Sequence, residues 1–145
     1  MVDVSDKDIT LREAVAGGEI SMNPDTYRMI MNEEIVKGDV LGVAKVAGIM
    51  AAKKTSELIP MCHPLNMTHI EIQFHPREAE STIGMEASVK TWYRTGAEME
   101  ALVAVTTAAL TIYDMCKAVD KDMLIEGICL VEKSGGRSGH YQRQD

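Results

Sequence analysis

Two stretches of the chain alternate between apolar and polar residues. Ile70, Ile72 and Phe74 face one way and His69, Glu71, Gln73 and His75 the other; Ile83, Met85, Ala87 and Val89 repeat the pattern after a polar turn over residues 76–81. A period of two belongs to a strand with one buried face, so the pair predicts an antiparallel hairpin. Upstream, residues 2–16 predict an opening strand with a charged edge. Asn23-Pro24 reads as an N-cap followed by proline at the first helical position, starting a short helix through about Val36 that Lys37-Gly38 stops. Asp39 caps a second helix, which places Val40, Val43, Ala44, Ala47, Met50 and Ala51 on one face. Its last turn carries Lys53 and Lys54, favourable at the negative end of the dipole, and Pro60 ends the segment. Gly96 precedes a long helix over about 97–119, and a last strand near 124–132 leads into the glycine-rich stretch 134–139, read as a flexible tail.

Strand, helices, two strands, long helix, strand: this order predicts an α+β sandwich, ferredoxin-like, with helices packed on one face of a mainly antiparallel sheet. No repeat or low-complexity linker divides the chain, so residues 1–145 read as a single domain. The long helix adds one demand. From Ala101 to Tyr113 it carries 13 consecutive uncharged residues. A helix apolar all round is covered all round, and one small sheet covers one side only. The other side is expected to meet another subunit, so the fold is expected to assemble as an oligomer.

Composition narrows the function classes. With 22 acidic and 15 basic side chains the net charge is −7, which argues against a nucleic-acid partner held by a broad basic surface. No apolar run reaches the roughly 18 residues of a membrane span, so no membrane partner is expected. The first eight residues hold three acids and no apolar core of a signal peptide. Three widely spaced cysteines, Cys62, Cys116 and Cys129, make no disulfide framework and fit a reducing, cytoplasmic setting.

Candidate chemistry lies around the long helix. Glu98 and Glu100 fall in its first turn, where the dipole alone accounts for them. Asp114 sits at the unfavourable end, three residues before Lys117 on the same face. Such a pair on a surface is common and weak, but one emerging from a buried helix is expected to be partly desolvated and tunable for acid–base work. Met61-Cys62-His63-Pro64 follows the second helix, and Pro64 holds His63 extended. Neighbours in an extended segment point apart, so His63 is not expected to activate Cys62 as a nucleophile. His69, Glu71 and His75 share a strand face, a weak metal constellation more often met as a solvated polar face. Lys133 precedes the glycine-rich stretch and Arg137 lies within it, but the stretch lacks phosphate-loop spacing.

Lys37-Gly38-Asp39, Ile59-Pro60-Met61-Cys62-His63-Pro64-Leu65, Gly96-Ala97-Glu98-Met99-Glu100-Ala101-Leu102, the stretch from Ala109 to Ala118 and Lys133-Ser134-Gly135-Gly136 together carry a resemblance. The chain resembles the MoaC-type cyclic pyranopterin monophosphate synthase family of molybdenum cofactor biosynthesis, along essentially its whole length. The resemblance implies a lyase. It converts 3′,8-cyclo-7,8-dihydroguanosine triphosphate into a pyranopterin carrying a cyclic phosphate and releases diphosphate.

Carried over by motif, Asp114 and Lys117 are the implied catalytic pair and Lys37 a further essential cation. Met61, Cys62, His63, Met99 and Glu100 are implied substrate contacts, with Glu98, Lys133 and Arg12 close by. The resemblance also implies a ferredoxin-like fold and a homohexamer, a trimer of dimers, with sites at subunit interfaces. It implies a small nucleotide-derived substrate, no metal and no cofactor, and assigns no role to Trp92-Tyr93-Arg94. Two other readings remain open on the residues alone: an oligomeric partner that binds without turnover, and a metal site at His69, Glu71 and His75.

Overall fold

The computed structural model describes residues 1–144 and contains the predicted hairpin. β2 (Met67–Arg77) pairs antiparallel with β3 (Thr82–Tyr93), Ile70 opposite Val89 and Ile72 opposite Ala87. One helical turn over residues 78–80 reverses the chain, and Ser81 closes it in the left-handed conformation at φ 48°. β1 (Thr10–Ser21) pairs antiparallel with β3 along its whole length and, on its other edge, with β4 (Leu124–Ser134). With β5 (Tyr141–Gln142) the five-stranded sheet has the order β2-β3-β1-β4-β5.

Four helices complete the α+β architecture: α1 (Pro24–Met31), α2 (Val40–Ala52), α3 (Thr55–Leu58) and α4 (Glu98–Cys116). α4 packs on β1, β3 and β4, while α2 lies against α4 and β2. Ala14, Ala16, Ile20, Ile72, Met85, Ala87 and Val89 fill the core beneath them. The opposite sheet face is polar, with ion pairs from Lys90 to Glu13 (3.1 Å) and from Arg77 to Glu19 (2.5 Å).

Three expected boundaries shift, each for a local reason. β1 begins at Thr10 rather than residue 2, because the Asp3 carboxylate accepts from the backbone N–H and hydroxyl of Ser5 (2.9 and 2.6 Å) and bends the segment. It continues through Gly17-Gly18 to Ser21, since a Cβ at Gly18 would overlap the Ile128 side chain that crosses it. α1 ends at Met31 rather than Val36, with Glu33 at φ 57°. Asn23 does not cap α1 with its side chain. Asp120, from the loop after α4, accepts from the Asn23 N–H (2.9 Å) and the Thr26 hydroxyl (3.1 Å) instead.

Asp39 caps α2 as expected, accepting from the Gly42 N–H at 3.0 Å. The buried stripe of α2 differs from the expected one. Val40, Ala44, Gly48 and Ala52 face inward, whereas Val43 and Met50 are exposed. Helix proximity explains the shift. A Cβ at Gly48 would meet both the Ile72 side chain and the Ala104 carbonyl, so the smallest residues must face α4.

α4 is the core helix, burying Ala101, Ala104, Val105, Ala108, Ala109 and Ile112. At 19 residues it is long and apolar enough by composition to match a membrane span, although no unbroken apolar run is that long. Its inner side is taken by the sheet and α2. Its outer side leaves Leu110 55% exposed, and on α2, which packs against it, Val43, Val46 and Met50 are exposed too. The glycine-rich stretch is not a flexible tail. Gly135, Gly136 and Gly139 turn with positive φ, and Tyr141 returns to pair with Lys133 of β4.

Candidate active site

The motif residues fall into two groups at opposite ends of α4. The first is ionic. Asp114 lies in the last turn, Lys117 just beyond it, and Lys37 reaches them from the loop between α1 and α2. Lys117 Nζ stands 2.8 Å from Asp114 Oδ1 and Lys37 Nζ 3.0 Å from Oδ2. Lys37 also donates to the Asp114 backbone carbonyl at 3.0 Å, satisfying an orphan acceptor of the helix end. Hydrogen bonds from Lys117 and then Lys37 pull the Asp114 carboxyl down to about 2, and Asp114 in turn raises the Lys117 ammonium above its ordinary value.

Desolvation, the expected source of tuning, is outweighed in this group by hydrogen bonds and charge. The Asp114 and Lys117 side chains are 56% and 54% exposed, because α4 brings its C-terminal end out of the core.

The second group lines a cleft of about 270 Å³ at the N-terminal end of α4, and it includes Met61, Cys62, His63, Glu98, Met99 and Glu100. Two segments far apart in sequence thus share one wall. Glu100 is 3% exposed, and burial together with the nearby Glu98 charge pushes its carboxyl up to about 7. The first turn of α4 is therefore more than end stabilisation. Glu98 pairs with Lys133 of β4 at 3.3 Å. Cys62 and His63 both line the cleft, but burial and Glu100 raise the Cys62 thiol, which keeps it neutral and a poor nucleophile.

Several cleft residues carried no sequence signal. Val2, Val4 and Lys7 close one side, and Arg94 holds that N-terminal segment in place by donating to the carbonyls of Ser5 and Lys7. Arg94 thus acquires a structural task. On the polar sheet face, His69 Nε2 lies 3.8 Å from Glu71 Oε2 with both side chains half-exposed. Among the described residues, His69, Glu71 and His75 do not converge into a set that could hold a metal ion.

Comparison with known proteins follows the same residues. A family model described as the MoaC family matches residues 1–136. The chain is 59% identical over 145 residues to a cyclic pyranopterin monophosphate synthase of Heliobacterium modesticaldum, covering all of this chain and 91% of the relative. It is 58% identical over 144 residues to the protein of that name from Pelotomaculum thermopropionicum, covering 99% of this chain and 85% of the relative. For the one from Thermoanaerobacter sp. the identity is 62% over 144 residues, with 99% and 91% covered.

Proposed function

This chain belongs to the MoaC family, and on that premise we propose how its two residue groups carry out the reaction. The protein is a lyase, a cyclic pyranopterin monophosphate synthase of molybdenum cofactor biosynthesis. Its substrate is 3′,8-cyclo-7,8-dihydroguanosine triphosphate, which it rearranges to cyclic pyranopterin monophosphate with release of diphosphate. We assign catalysis to Asp114, Lys117 and Lys37, and substrate binding to Met61, Cys62, His63, Glu98, Met99, Glu100 and Lys133.

The observation that carries the assignment is that these residues, drawn from five separate stretches, gather into two clusters of suitable chemistry. Ring opening and pyran closure move protons between nitrogen and oxygen, work for paired acid and base groups. Lys117 and Lys37 are charged donors beside an anionic acceptor, Asp114. Glu100, near half-protonated at neutral pH, serves as donor or acceptor at the other cluster. In the cyclisation, a sugar hydroxyl oxygen bonds to the α-phosphorus, its proton passes to a base, and the bond to the β-phosphate breaks. Lysine ammonium groups stabilise the charge on the leaving diphosphate.

Within one chain the clusters stand 14 or more residues apart on α4, roughly 20 Å at 1.5 Å per residue. Reacting groups work at about 3 Å, so the two clusters of one chain do not serve the same atoms. We therefore place each site between two copies, the cleft from one and the Asp114 cluster from the other, within a homohexamer. The exposed Val43, Val46 and Met50 of α2 and Leu110 of α4 support burial of these apolar side chains against a partner. The element order and the strand order β2-β3-β1-β4 support a ferredoxin-like domain over the whole chain. Three free cysteines support a cytoplasmic setting.

The test is turnover of the cyclised nucleotide by the full chain, with diphosphate release measured. Lys117→Ala and Asp114→Asn each abolish it and leave assembly intact; full turnover by both overturns the assignment. Six chains of 15.9 kDa give about 95 kDa on sizing, against which a 16 kDa monomer counts directly. Co-expressed Asp114→Asn and Glu100→Gln chains, each inactive alone, regain activity if sites are shared, and stay inactive if they are not.

A further inference from the structure

Lys37 is delivered to Asp114 by residues 32–39, the link between α1 and α2. The far end of the link is firm. Asp39 caps α2, and Gly38 takes φ +113° with open space where a Cβ would stand, so glycine serves the backbone conformation there and not a close contact. The middle has one anchor, the buried side chain of Ile35. The Gly38 N–H donates to the Ile35 carbonyl at 3.0 Å, which folds Val36 and Lys37 into a tight turn with Val36 fully exposed at its tip. A turn pinned by a single side chain is still free to swing about it.

The near end is strained. Glu33 sits at φ 57°, a left-handed conformation unfavourable for any residue with a Cβ. An ion pair spans that point. Arg28, in the last turn of α1, donates to the Glu34 carboxylate at 3.2 Å. The Glu34 N–H donates to the Met29 carbonyl at 2.8 Å, so Glu34 is folded back on α1 by backbone and side chain together. Glu34 precedes the anchor Ile35 by one residue and Lys37 by three, and its placement sets where the turn leaves the helix. Arg28 also stands 3.9 Å from Asp25, but Asp25 is almost fully exposed and belongs to α1 itself, so that contact restrains nothing beyond the helix.

We infer that Arg28 and Glu34 are positioning residues for the reaction: their ion pair fixes the link so that the Lys37 ammonium stands on Asp114. Neither side chain touches the reacting groups. Lys37 as an acting cation rests on the function proposed above, whereas its placement is a property of the link. Both partners of the pair are half-exposed, and pairs of this kind add little to the stability of a whole fold. Their effect is local. Lysine reaches a single carboxylate from many backbone positions, since its stem is long and flexible. Lys37 instead meets two acceptors of one residue, the Asp114 carboxylate and the Asp114 carbonyl, each at 3.0 Å. That double contact is available from a narrow range of backbone positions, which is what the clasp supplies.

Glu34→Ala and Arg28→Ala in the full-length protein test this. Each leaves the melting temperature within about 2 °C of wild type, as loss of an exposed ion pair does. With the cyclised nucleotide, kcat falls about tenfold at unchanged KM, short of the loss expected for Lys37→Met because the lysine is displaced and not removed. Carboxyl NMR shows the Asp114 midpoint rising from about 2 toward 3.8. In Glu34→Ala that direction is diagnostic. Removing an acid by itself moves a neighbouring carboxyl down, so a rise reads displacement of Lys37. The swapped pair, Arg28→Glu with Glu34→Arg, recovers most of both readouts, and Asp25→Ala changes neither. An unmoved Asp114 midpoint in both alanine variants, an equal loss in Asp25→Ala, no recovery in the swapped pair, or a fall in melting temperature large enough to account for the lost turnover overturns the inference. Absence of turnover by wild type would count against the proposed activity, and the NMR midpoints would still decide the placement of Lys37.

Discussion

Lys37 Nζ lies 3.0 Å from the Asp114 carboxylate and 3.0 Å from the same residue's backbone carbonyl. One ammonium therefore answers both a side-chain charge and the negative end of α4, in the last turn where a carboxylate alone is unfavourable. Lys117 takes the other carboxylate oxygen at 2.8 Å. Asp114 is held by two cations from separate segments, and removing either leaves the other in place.

Lys37→Met is expected to move the Asp114 carboxyl upward from about 2 while Lys117 keeps it below the ordinary value of 3.8. The sign is that of a depressed acid. Its contribution to stability is complete above the unfolded value and lost as pH falls through the folded one, so the window lies between about 4 and 2. Carboxyl NMR of labelled protein reads the midpoint, and an unchanged midpoint contradicts the geometry. Turnover is expected to fall by at least about 100-fold, the scale of a lost acid–base partner.

Glu100 titrates in the opposite sense. Burial raises its carboxyl from 4.5 to about 7, so the unfolded chain loses the proton first and stability falls as pH rises across that window. Glu100→Gln is expected to flatten the dependence and to be the more stable form at pH 8, by up to about 3 kcal/mol. Thermal melts of both proteins from pH 5 to 8 decide it; parallel curves rule the argument out.

Asp120 is 4% exposed and accepts from the Asn23 N–H, the Thr26 hydroxyl and the Asp122 N–H. Asp120→Ala strands these donors and is expected to cost about 1–3 kcal/mol, the scale of buried groups left unsatisfied. Asp120→Asn retains acceptor oxygen and is expected to cost less. Urea unfolding separates the two, and an alanine variant as stable as wild type removes Asp120 as the anchor of the start of α1.

Gly48→Ala tests the approach of α2 to α4. Helix propensity alone favours alanine by about 1 kcal/mol. A Cβ at this position would meet the Ala104 carbonyl as well as the Ile72 side chain, and backbone does not swing aside. The variant is expected to be destabilised by about 1–3 kcal/mol, the range of an overpacked core. A raised melting temperature would mean that the helices stand further apart.

Much of this protein follows from local pattern. The β2–β3 hairpin is written in alternating residues, the start of α2 in Asp39, and the central place of α4 in 13 uncharged residues, because each depends on neighbours within a few positions. The motifs naming Asp114, Lys117, Lys37 and the cleft residues are likewise linear. Contacts between distant segments are not. Asp120, 97 residues from Asn23, anchors the start of α1, which the Asn23 side chain does not cap. The face α2 buries is chosen by how closely α4 approaches Gly48, a distance that no periodicity encodes. Ion-pair character at Asp114 was legible, but its exposure was not, since that depends on where the core ends. Glu100 goes furthest beyond the linear text: burial perturbs the carboxylate, an effect of tertiary enclosure.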